Sequence, residues 1–133
     1  MAAPLLIAAS PGGARELAAA FDRHADYSVA QSFEEGLELL KQGKFAAIVV
    51  GYYFDQAQPF RFISEAQVEH PELPIVLVRP LPIPLSTPGE AIRSAYRQLG
   101  VGDFFDFQDT AQRDGVDEAR RRLRETVFRL IGP

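Results

Sequence analysis

Three short, unbroken apolar runs constrain this chain more than any other feature. Leu5-Leu-Ile-Ala-Ala9, Phe45-Ala-Ala-Ile-Val-Val50 and Leu73-Pro-Ile-Val-Leu-Val78 carry no alternating polar residue. A strand written this way has both faces covered, as in a parallel sheet sandwiched by helices. Between the runs, apolar residues recur at helical spacing. Leu17, Ala20, Phe21 and His24 mark a first helix from Pro11 to about His24, with Ser10 at its N-cap. Ser32-Phe-Glu-Glu35 is a capping box that opens a second helix, burying Phe33, Leu37 and Leu40 and ending near Gly43. A third helix spans Pro59 to His70 with Phe60 or Phe62, Ile63 and Ala66 inward, and His70-Pro71 stops it. Thr87-Pro-Gly-Glu90 restarts a fourth with Ile92, Ala95, Tyr96 and Leu99 on one face. A fifth runs from Val116 to Ile131 with Val116, Ala119, Leu123, Val127, Leu130 and Ile131 inward.

Two weaker strands complete the pattern. Tyr27-Ser-Val-Ala-Gln31 is less apolar and belongs at a sheet edge; Asp103-Phe-Phe-Asp-Phe107 is a short fifth strand. Strict βα alternation predicts an α/β, three-layer, flavodoxin-like fold: a five-stranded parallel sheet of order 2-1-3-4-5 with five helices. The 133 residues suit one domain, residues 1–133, and Gly132-Pro133 is where a linker to a longer protein could begin. Ligands of such folds sit beyond the carboxyl ends of the strands. That directs attention to Ala9-Ser10, Gly51 to Gln58, Arg79 and Phe107.

Composition narrows the chemistry. With no cysteine there is no disulfide, thiolate zinc site or cysteine nucleophile, and His24 and His70, both read as structural, supply too little for a metal cage. No stretch reaches the roughly 20 apolar residues of a membrane span. The first cation is Arg15, so the N-terminus lacks a signal peptide's basic region, and the expected location is the cytoplasm. A net charge of −4 argues against nonspecific nucleic-acid binding. Arg120, Arg121, Arg122, Arg124 and Arg129 on the last helix are interspersed with Asp117, Glu118 and Glu125, which points to a solvated or salt-bridged face. Four of the ten prolines fall between Arg79 and Pro88, which excludes a central strand there and predicts an extended, polyproline-like loop. With Tyr52-Tyr53-Phe54 that loop flanks the switch-point end of the sheet and suits protein recognition.

Several stretches, in order, resemble the receiver domains of bacterial response regulators. AQVEHPELPIVLV, from Ala66 to Val78, is similar to the end of the receiver's third helix, its His-Pro turn and its fourth strand. KQGKFAAIVV and LGVGDFFDF resemble the approaches to the third and fifth strands. The resemblance implies phosphoryl transfer onto an aspartate ending the third strand. It also implies a magnesium-binding acidic pair after the first strand, a Ser/Thr after the fourth and a Lys after the fifth. The matching positions hold Gly51, Ala9 with Ser10, Arg79 and Phe107. The chain thus resembles a degenerate, chemotaxis-receiver-like pseudo-receiver. Asp55, four residues past Gly51, would need a third strand of unusual length to serve as acceptor and reads as a turn residue.

The resemblance places Phe104 at an aromatic switch position. It also implies a face built from the fourth helix, fifth strand and last helix: Ile92, Arg93, Tyr96, Arg97, Asp103, Asp106 and Arg121. Opposite charges on that face predict a symmetric homodimer. The expected function is a phosphorylation-independent protein–protein interaction or dimerisation module in two-component signalling, with no enzymatic activity, no cofactor or metal, and a protein partner the sequence does not name. A second reading is a small-anion or nucleotide sensor using the Ser10–Ala14 turn and Arg79, the latter pairing with Asp55 or with the anion. A flavin has fold-level support only. A third reading makes the chain the receiver module of a DNA-binding regulator.

Overall fold

The computed structural model describes residues 3–54, 59–81 and 89–132. Five strands, β1 (Leu5–Ala8), β2 (Tyr27–Ala30), β3 (Ala47–Gly51), β4 (Ile75–Val78) and β5 (Asp103–Phe105), form one parallel sheet of order β2-β1-β3-β4-β5. The predicted wind is therefore the observed one, with the less apolar β2 at an edge and β3 at the centre.

Alternation along each strand divides the core into two halves. Leu5, Ile7, Val49, Val76 and Val78 point to one face, where Leu17, Ala20 and Phe21 of α1 (Pro11–Phe21) cover them together with Ala119, Leu123 and Val127 near the C-terminus. Leu6, Ala8, Ile48, Val50, Ile75 and Leu77 point to the other. There they meet Leu40 of α2 (Phe33–Gln42), Phe62, Ile63 and Ala66 of α3 (Pro59–Glu69) and Ile92 of α4 (Gly89–Gln98). Each fully buried Leu, Ile, Val or Phe contributes about 1.5–3 kcal/mol of apolar transfer, so sheet and helices are held mainly through these two layers.

Six helices are described rather than the five expected. The predicted fifth strand stops at Phe105, and the next residues form α5 (Phe107–Asp114) ahead of α6 (Val116–Ile131). The reason is local: the Asp106 carboxylate accepts a hydrogen bond from the Asp109 amide at 2.9 Å, capping a new helix, and Gly115 at φ +96° ends it. Phe107 is consequently the first helical residue and not a strand end. Other expectations shift at the margins. Phe62, not Phe60, turns inward; Val116 and Ile131 are 42% and 38% exposed, and Ala95 is also exposed. The capping box at Ser32 forms, with the Glu35 amide 3.1 Å from Ser32 Oγ, while the Glu35 carboxylate accepts from the Gln31 amide at 2.7 Å. Asp55, Pro82 to Pro88 and the Thr87 capping box lie outside the described residues.

Helix α1 ends at Phe21 instead of His24, and His24 is exposed. Just past that end Arg23 sits at φ +68°, a left-handed position that glycine fills without steric cost. Replacing Arg23 with Gly is expected to raise stability by about 0.5–1 kcal/mol, read as a higher urea midpoint. A lower midpoint would mean that the arginine side chain stabilises this turn by more than its backbone strain costs.

Candidate functional site

The carboxyl ends of β1, β3, β4 and β5 converge at one end of the sheet, and most of the residues singled out in the sequence gather there. Ala9 is fully buried, its amide donating to the Ala30 carbonyl at 3.1 Å. Gly51 ends β3 beside it. A β-carbon at position 51 would stand 3.0 Å from Ala9 Cβ and 3.5 Å from Ala9 Cα. A side chain at position 51 would thus start tight against the neighbouring strand.

Arg79 continues β4 and is held on three sides. Its amide donates to the Phe105 carbonyl and its carbonyl accepts from the Gln108 amide, both at 3.1 Å. Its Nε lies 2.9 Å from Asp106 Oδ1, with the two side chains only 13% and 26% exposed. Asp106 therefore serves twice, as the cap of α5 and as the ion-pair partner of Arg79. The sequence reading gave Arg79 to Asp55 or an anion, and Asp106 to the dimer face. Strand register brings Arg79 and Asp106 together across 27 positions, and Asp55 lies outside the described residues. Removing one member of a part-buried pair strands the other, so Arg79→Ala is expected to cost about 1–3 kcal/mol in chemical denaturation. An unchanged midpoint would mean that solvent already screens the pair.

The Ser10–Ala14 turn lies at the same end and is partly covered: Gly13 and Ala14 are buried, Pro11 is exposed. Ser10 is the N-cap of α1 without a side-chain capping bond, and its carbonyl accepts from the Ala14 amide at 2.7 Å. Pro80 is buried over this turn: a β-carbon on Gly13 would stand 3.0 Å from Pro80 Cγ. Leu81 lies at ordinary packing distance, 3.7 Å, from the corresponding position at Gly12. Gly13 admits the close approach of Pro80. Phe107, at the position that the resemblance gives to lysine, is buried in the core half shared with α1 and α6.

An aromatic group adjoins the pair. Tyr52 and Tyr53 meet edge-on at 4.9 Å, and Tyr52 meets Phe104 edge-on at 6.5 Å. Burial, then the neighbouring Tyr52, pushes the Tyr53 phenol above its ordinary value; Arg79 opposes that shift and Asp106 adds to it. Sequence reasoning marked the aromatic cluster without connecting it to Arg79. Phe104 is 2% exposed, and the Arg93 guanidinium lies 6.0 Å from its ring while Arg93 Nη2 donates to its carbonyl at 2.9 Å. Ile92 is buried beneath α4, and burial and Tyr52 raise the Tyr96 phenol.

The charges expected to pair between copies are largely engaged within the chain. Asp103 accepts from the Phe104 amide at 2.8 Å and lies 3.6 Å from Arg93 and 3.9 Å from Arg129. Arg121 bridges Glu118 at 2.7 Å and Glu125 at 2.9 Å on its own helix. Arg122 reaches Glu118 and Asp114, Arg120 approaches Glu16 and Asp117, and Arg124 donates to the Ala20 carbonyl. The arginines of α6 are thus used in tying it to itself, to α5 and to α1. Arg97 is exposed and makes no ion pair among the described residues.

Hydrogen bonds from Arg121 and then Arg122 hold the Glu118 carboxyl down to about 2. A depressed carboxylate stabilises the fold above its unfolded value, and that contribution is lost as pH falls from the ordinary 4.5 through about 2. Carbon-13 NMR should place the Glu118 midpoint near the lower figure in the native protein and raise it in Arg121→Gln, with Arg122 still holding it below the ordinary value.

Comparison with protein-family models returns no match, and no curated protein sequence matches. Solved structures do. The chemotaxis response regulator CheY4 of Vibrio cholerae superposes with a TM-score of 0.71 at 11% identity, covering 96% of this chain and 100% of that one. A sensor protein from Polaromonas gives 0.72 at 17% identity, covering 96% and 95%. The response regulator TrrA of Thermotoga maritima, solved in complex with magnesium and beryllofluoride, gives 0.65 at 13% identity, covering 95% and 99%. No helix among the described residues is long and apolar enough to cross a membrane. In wind, layer order and the placement of its switch-point end, the chain has the receiver fold of response regulators.

Proposed function

We propose that this chain is a receiver-fold signalling module that works through protein–protein contact and not through phosphoryl transfer. The observation that carries the reading is Gly51, an acceptor position without a functional group, where a β-carbon would sit tight against Ala9 at 3.0 Å. Two further features support it. Ala9 and Ser10 supply no carboxylate for a divalent cation, and Arg79, at the carboxyl end of β4, is paired with Asp106. Phe104, buried and tethered by Arg93, forms a fixed link between that end and α4. The proposed docking surface is the α4–β5–α6 face around Tyr96 and Arg97, where an exposed cation borders a half-buried phenol. Pro80 packed against Gly13 and a partnered Arg79 weigh against the anion-sensor reading.

Magnesium with beryllofluoride, the reagent bound to TrrA, is the direct probe. Amide spectra should be unchanged on its addition, and acetyl phosphate with magnesium should leave the intact mass unaltered. A stable phosphoryl adduct, on Asp55 or elsewhere, would overturn the reading.

A further inference from the structure

A groove on the other side of the molecule has charge walls of opposite sign. It runs between the C-terminal ends of α2 and α3 and under the turns that lead into β3 and β4. Two adjoining hollows of about 180 and 340 Å³ share Leu40 and His70. Leu40, Phe45 and Leu73 give the floor its apolar character. Lys41 and Lys44 stand along the α2 side; Glu65, Glu69 and Glu72 stand along the α3 side. All five of these charged residues are exposed, and none makes an ion pair among the described residues. The contrast with α6 is sharp, since its arginines are bonded within the chain. Val68, 78% exposed, lies on α3 between Glu65 and Glu69 and leaves an apolar side chain uncovered beside the acidic wall.

We infer that this groove receives a second copy of the same chain in a two-fold dimer. A two-fold interface brings one patch against itself, so residue i of one copy meets j of the other and j meets i. A patch that is basic along one wall and acidic along the other satisfies that operation without repulsion. The lysines of each protomer face the glutamates of its partner, and the apolar floors are covered together. A foreign partner would have to present both walls in the same spacing; this chain already does. The groove lies at the end of the sheet remote from Gly51 and is separate from the α4–β5–α6 surface. Self-association and partner docking can therefore occur at once, and one can fail without the other.

The test is a charge swap on the full chain, followed by sedimentation velocity over a concentration series at low ionic strength. Wild type is expected to dimerise, more weakly as salt is added. Lys41→Glu/Lys44→Glu and Glu65→Lys/Glu69→Lys are each expected to weaken association at least about tenfold, because each sets like charges against each other. Mixing the two variants should restore a dimer, since the reversed walls again complement one another. Arg121→Glu, on α6, should dimerise as wild type does. A wild type that stays monomeric at every concentration would overturn the inference, as would a dimer that survives both reversals or a mixture that fails to associate. Unchanged far-UV circular dichroism in both variants separates lost association from lost fold.

Discussion

Gly51→Asp, which writes an acceptor back into the third strand, is expected to lower stability by about 2–4 kcal/mol and to accept no phosphoryl group. The steric part comes from Ala9, whose β-carbon would lie 3.0 Å and α-carbon 3.5 Å from the new β-carbon. These atoms belong to a fully buried residue hydrogen-bonded to Ala30, so no rotamer change can move them aside. The electrostatic part comes from placing a carboxylate where the Ala8 carbonyl oxygen is already 3.8 Å from that β-carbon. Arg79, the cation at this end, is engaged by Asp106. Adding Ala9→Gly should return the steric share and leave the rest, a non-additivity that urea unfolding of the single and double variants measures. If Gly51→Asp alone unfolds at the wild-type midpoint, the site is open and the central premise of the proposed function goes with it.

Phe62→Ala is expected to cost about 3–5 kcal/mol, the range for truncating a buried aromatic. The ring is fully buried, edge-on to Phe54 at 5.2 Å and to Phe33 at 6.3 Å, and it binds α3 to the sheet and to α2. Its fit depends on Gly36 of α2. A β-carbon there would stand 2.5 Å from Phe62 Cε1. Alanine is the better helix former by about 1 kcal/mol, yet Gly36→Ala should destabilise, because the ring cannot retreat from a filled core. With Phe62→Leu in place the same substitution should stabilise. Thermal and urea unfolding of the four proteins would show that reversal of sign; parallel responses would mean that α2 simply rides outward.

The sheet was legible because its strands are apolar on both faces, and alternation with amphipathic helices puts such strands in a parallel sheet covered on both sides with right-handed crossovers. The α5 helix was not. Its eight residues bury only Phe107 and Thr110, too few to set a period, and Phe107 continued the apolar look of the strand before it. The signals that could have found it were Asp106 as a cap and Gly115 as a stop. That position 51 holds glycine, and positions 9 and 10 alanine and serine, could be read directly, because it is a matter of residue type. What packs around them could not. The Arg79–Asp106 pair depends on where β4 and β5 end relative to each other, and Pro80 against Gly13 depends on the path of the chain after β4. The charges of Asp103 and Arg121 were available to any partner in the sequence and are engaged in cis in the fold.

The position of α6 has a consequence for biogenesis. Leu5, Ile7 and Val49 belong to the strands made first, and part of their cover is Ala119, Leu123 and Val127, which are made only after all five strands. Until then a greasy parallel surface stands open on a tethered chain, at the stage when unfinished sheets are most exposed to misassociation. The Arg124 bond to the Ala20 carbonyl then fixes the landing point of α6 on α1.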